Sequence, residues 1–166
     1  MNTAQTSTAG APLTDAEIQT IIQAMHNGAS IGDVANISTE MLEGLYTLGY
    51  NLYTTGNFAD AEIVFQALCL YKHNEVRFWM GLAGCRQANA NLPGAIDAYS
   101  MAGVAAELAD PAPFLYAANC YIKLGDKENA LGALQGLLTL GDPANPTHAE
   151  CHTKAKNLLE MLTSHN

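Results

Sequence analysis

The chain has 166 residues, 49% of them apolar and 14% charged, a length and balance that support one folded domain and argue against a disordered polypeptide. Sixteen acidic residues against seven scattered basic ones leave a net charge of −9, so neither nucleic acid nor an anionic membrane surface is an expected partner. No apolar run approaches a membrane span, and residues 1–13 carry neither Lys nor Arg nor the apolar stretch of a secretory signal, so the expectation is a cytoplasmic protein without stable membrane insertion.

Residues 1–13 read as a disordered N-terminal tail, and residues 14–166 as a single helical domain, since alanine-rich, aromatic-poor sequence suits closely packed helices. An N-terminal helical region covers 14–37. It opens on Thr14 and Glu17, which have capping-box spacing, and continues with Ile18, Ile21, Ile22 and Met25, an apolar stripe at helical intervals. Such a stripe is covered either by the chain's own first hairpin or by a second copy. Asn27, Gly28, Ser30 and Gly32 mark a loop or a short helical turn, and Ser38 or Thr39 caps the helix that follows.

From Leu42 onward a pattern of large and small apolar residues repeats. The first unit, 42–75, has Leu45, Leu48, Gly49 and Leu52, a turn at Gly56, then Phe58, Ala61, Phe65 and Leu68. The pattern returns 34 residues later, in 76–110, with Trp79, Leu82, Ala83, Leu92, Ala95, Tyr99 and Ala102, although Ala90 replaces the turn glycine and Arg86 fills an apolar slot. It returns after a further 35 residues, in 111–144, with Phe114, Ala117, Ala118, Tyr121, Gly125, Ala130, Leu134 and Leu137. Small residues at fixed offsets let paired helices approach, and large ones fill the space between pairs. This period signals three tetratricopeptide (TPR) hairpins, an all-α fold stacked as a short right-handed solenoid. Asn57, Asn91 and Asp126 stand where second helices need N-caps, Pro111 suits a first turn, and Thr147 with Glu150 opens a C-terminal capping helix over 147–163.

No phosphate-binding loop or nucleophile–base pairing is visible, so neither enzymatic activity nor a cofactor is expected. Cys69, Cys85, Cys120 and Cys151 are widely spaced and read as reduced, buried, small hydrophobes. His148 and His152, four apart near Glu150 and Cys151, resemble half of a metal site. However, Ala149 stands where the zinc-protease motif has Glu, and the expectation is a solvated helix face without metal.

In TPR proteins the first helix of each hairpin lines a concave face through fixed positions. Those positions carry Glu43, Tyr46, Tyr50 and Tyr53 in the first unit, and Arg77, Met80, Gly84, Gln87 and Ala88 in the second. The third supplies Leu115, Asn119, Ile122 and Lys123. Leu45, Leu48, Gly49 and Leu52 already occupy the packing face, which leaves the three tyrosines for a partner, where a ring with a hydroxyl makes broad contact at small entropic cost. The groove has too few cations to clamp a terminal carboxylate. An internal, apolar-anchored polypeptide segment is the expected client.

Phe65-Gln66-Ala67-Leu68-Cys69, His73, Arg77-Phe78, Gly81-Leu82, Cys85-Arg86-Gln87-Ala88 and Ala98-Tyr99-Ser100 go beyond a generic TPR pattern, as does Asn27-Gly28-Ala29-Ser30 after a short helix. With these segments the chain resembles the class II type III secretion chaperones, TPR proteins of the bacterial cytoplasm. The resemblance implies hydrophobic translocator clients, held before export by an extended N-terminal segment in the groove. It also implies groove roles for Tyr46, Tyr50 and Tyr53, homodimerisation through Ile18, Ile21, Ile22 and Met25, and, for some members, cooperation with a transcription regulator. Without the resemblance, the same repeats describe a general TPR scaffold joining partners in another cytosolic complex.

Overall fold

The computed structural model describes residues 14–164, so the tail of residues 1–13 lies outside the described residues. Helices α1 (Asp15–His26) and α2 (Ile31–Val34) precede three hairpins. These are α3 (Thr39–Thr54) with α4 (Phe58–Tyr71), α5 (Val76–Ala88) with α6 (Leu92–Ala105), and α7 (Ala112–Leu124) with α8 (Lys127–Leu137). Helix α9 (Pro146–Ser164) closes the stack against α8 and α7, and the described residues contain no strand.

The segment 14–37 is two helices rather than one, broken at Gly28, whose φ is +89°. Helix α2 begins at buried Ser30, whose hydroxyl accepts from the Asp33 backbone while the Asp33 carboxylate accepts from the Ser30 backbone, a closed capping box. It is held tightly to α4, because a Cβ on Gly32 would lie 2.6 Å from the Tyr71 carbonyl oxygen. Helix α1 packs chiefly on α2 and leaves Ile18 and Ile22 exposed.

All three hairpins turn by the same device. At the end of each first helix the backbone N–H groups of two successive residues fold back onto carbonyls: Gly56 to Tyr53 and Asn57 to Leu52, Ala90 to Gln87 and Asn91 to Arg86, Gly125 to Ile122 and Asp126 to Tyr121. This is the Schellman arrangement, which needs a left-handed residue at its pivot. Gly56 and Gly125 adopt that conformation easily, whereas Ala90 is forced into it at φ +60°. The residue after each pivot also opens the second helix. Asn91 and Asp126 accept from the third backbone N–H of their helices, but the Asn57 side chain donates to Thr55 instead and makes no cap bond. At α3, Ser38 supplies the cap.

Asn145, rather than Thr147, caps α9: its side-chain oxygen accepts from the Thr147 N–H at 2.9 Å, and Glu150 pairs with Lys154 rather than closing a capping box. Pro146 occupies the first helical position, which moves the start one residue upstream. The two histidines of α9 tie down the preceding loop, with His148 Nδ1 accepting from the Asp142 N–H and His152 Nε2 bonded to the Leu140 carbonyl. Arg86, the polar intruder in the second unit, bonds Glu62 at 3.0 Å and the Gly94 carbonyl at 3.1 Å, bridging α4, α5 and the start of α6.

Two apolar clusters form the interior. The larger joins α3 to α6 with Ala117 and Cys120 of α7, and the smaller joins Leu115 and Ala118 of α7 to α8 and α9. All four cysteines are free and buried, and desolvation pushes the thiols of Cys69 and Cys85 up to about 12 and about 11. Ellman's reagent at neutral pH is expected to titrate all four thiols only after denaturation, and rapid reaction of the native chain would contradict this packing. Ala90→Gly is expected to stabilise the fold by about 1 kcal/mol in urea unfolding, because it removes the left-handed penalty at the second pivot.

Candidate functional site

The side of α3 that faces α5 carries Tyr46, Tyr50 and Tyr53 one turn apart, because their spacing of four and three places them on one helical face. Val76, Arg77, Met80, Gly81 and Gly84 of α5 stand opposite, Phe65 of α4 provides the floor, and Tyr99 and Tyr116 supply the remaining wall of a groove of about 430 Å³.

The three tyrosines are not equivalent. Tyr46 is held edge-on to Phe65 with ring centres 6.0 Å apart and packs against Phe78 on another side. Tyr50 and Tyr53 are 55% and 37% exposed, which leaves them ring surface to offer. Tyr53 stands over Gly84, where a Cβ would sit 3.5 Å from its ring, and meets Phe58 edge to face. The bare backbone at Gly84 is thus covered by Tyr53.

Glu43 and Arg77 occupy the same offset in successive units and bond to each other. Nη2 of Arg77 lies 2.7 Å from Oε1 of Glu43, its Nη1 lies 3.3 Å from Oε2, and its Nε lies 3.2 Å from the Glu75 carboxylate. This pairing holds the Glu43 carboxyl below its ordinary range and raises Arg77. The guanidinium also rests 4.9 Å from the Tyr46 ring centre, a cation–π contact that fixes the ring. This end of the groove is therefore a preorganised clamp in which two carboxylates match one guanidinium.

Beyond Tyr53 and Gly84 a second, more polar recess continues along Gln87, Ala88, Tyr99, Tyr116 and Lys123. Leu115 and Asn119 do not reach the tyrosine groove. They line a separate depression of about 290 Å³ with Lys154, Asn157 and Leu158 of α9, and Leu115 is largely core, while Ile122 is half-buried and lines neither. Tyr99 and Tyr116, stacked at 5.3 Å, are walls that the position rule leaves out. Tyr99 lies on a second helix, and Tyr116 is one residue past the expected position on α7. Of the proposed dimer stripe, Ile18 and Ile22 are exposed on α1, and the side chains of Ile21 and Met25 lie outside the described residues.

No protein-family profile matches the chain. It is 34% identical over 141 residues to the low calcium response locus protein H of Yersinia pseudotuberculosis, covering 83% of this chain and 81% of the relative. Its fold superimposes on a chain of a type III secretion complex from Aeromonas hydrophila with a TM-score of 0.79 and 36% identity, covering 88% of this chain and 96% of the other. The Yersinia enterocolitica secretion chaperone SycD, in complex with a peptide of the translocator YopD, matches with a TM-score of 0.69 and 35% identity, covering 76% of this chain and 95% of SycD. SycD is also known as an alternative dimer. With identity sustained over most of both chains and a shared helical architecture, this chain belongs to the class II type III secretion chaperones that serve translocators.

Proposed function

We propose that the groove between α3 and α5 holds an extended N-terminal segment of a hydrophobic, pore-forming translocator and keeps that client from aggregating in the bacterial cytoplasm until export. The observation that carries this reading is the row of tyrosines. Two of them offer exposed aromatic surface in a recess whose rigid floor and clamped rim lower the entropic cost of capture. SycD, a member of the same family, is known with a translocator peptide bound, which supports the same use here. Within the described residues no helix is long and apolar enough to cross a membrane, and the function proposed is holding rather than chemistry. Residues 14–164 act in this reading as one unit, with α1 as a contact to a second copy through its exposed Ile18 and Ile22.

Replacing Tyr46, Tyr50 and Tyr53 together by Ala is expected to lower client affinity by roughly two orders of magnitude or more, read as lost co-purification of a translocator with two hydrophobic segments while circular dichroism remains helical. Undiminished co-purification would reject the groove. Ile18→Asp with Ile22→Asp is expected to halve the mass seen by sedimentation of a dimeric wild type, and an unchanged mass would remove α1 from the interface.

A further inference from the structure

Tyr53, Gly84, Tyr99 and Tyr116 border two recesses at once, the tyrosine groove and the more polar one of about 370 Å³ that adds Gln87 and Lys123. A client segment leaving the tyrosines therefore passes directly over these two side chains.

Gln87 is oriented from behind. Its side-chain oxygen accepts from the Tyr99 hydroxyl at 3.0 Å and from the Cys120 thiol at 3.5 Å. Burial raises the pKa of both donors, so both keep their protons at neutral pH. A protonated thiol is a weak acceptor, so the amide keeps its oxygen toward the pair and its NH₂ free of any hydrogen bond among the described residues. That NH₂ is available to the recess that Gln87 lines.

Charge points to the same place. Arg77, the cation of the tyrosine groove, is matched by Glu43 and Glu75, whereas Lys123 makes no ion pair among the described residues. We propose that this polar end binds an acidic side chain of the client, with Lys123 supplying attraction and the Gln87 N–H supplying direction, next to the tyrosine-anchored apolar stretch. The inference rests on the groove reading and adds a register rule to it. In a chain of net charge −9, an unpaired cation beside a fixed donor within the groove favours one place along the client for the acidic residue.

The test uses the full chain and, as probe, overlapping short peptides from the N-terminal region of the translocator that co-purifies with it. Lys123→Glu is expected to weaken the captured peptide about tenfold, and changing one particular Asp or Glu of that peptide to Lys is expected to restore binding to the variant. Gln87→Glu, which keeps the oxygen for Tyr99, is expected to weaken the same peptide without loss of thermal stability. Unchanged binding by Lys123→Glu, or a loss that no peptide charge swap restores, overturns the acidic site. In that case the groove reading stands if the triple tyrosine variant has lost the peptide. A wild-type chain that captures no peptide overturns both.

Discussion

The groove exists because one aromatic ring is seated between two glycines. Phe65 of α4 is buried except where it floors the groove, and a Cβ added to Gly49 of α3 or Gly81 of α5 would run into its ring. Neither helix could otherwise come so close to the ring, and without the ring the gap between two first helices would have no floor. Tyr46 leans on Phe65, Arg77 leans on Tyr46, and Glu43 holds Arg77. The order of the binding face therefore descends from a packing contact in the core. A single glycine gives similar room at the next junction, where a Cβ on Gly103 of α6 would run into the Phe114 ring of α7.

The fold was legible in the sequence because its repeats depend on residue size, and size is written at fixed offsets. Gly49 with Ala61, and Ala118 with Ala130, mark close helix approaches directly. Caps were less legible. Asn145 and Thr147 both have side chains able to cap, and only the position of Pro146 decides between them. Fixed positions on first helices carry the tyrosine row and the Glu43 and Arg77 rim but not Tyr99 and Tyr116, which also line the groove. A second helix contributes Tyr99 because its ring reaches across the stack, and the turn of α7 brings Tyr116 forward while sending Leu115 and Asn119 toward α9. Neither fact follows from spacing within one unit.

The second unit departs from the pattern without breaking the fold. Ala90 carries the same pivot as the two glycines, held by the same pair of backbone hydrogen bonds, so the hairpin geometry tolerates local strain. Arg86 replaces apolar packing with bonds to Glu62 and Gly94. This unit lies at the centre of the stack, with neighbours on both sides to enforce its conformation, and a terminal unit would lack that support.

The partition of the interior at α7 bears on how the protein is made. Ala117 and Cys120 face the first apolar cluster, whereas Leu115 and Ala118 face the second, so one helix serves as the wall between two cores. Every residue of the tyrosine groove and its polar extension lies at or before Lys123. A chain emerging from the ribosome N-terminus first therefore delivers the whole receptor surface ahead of α8 and α9. Helices α8 and α9 add no residue to that surface and cover instead the Leu115 and Ala118 side of α7.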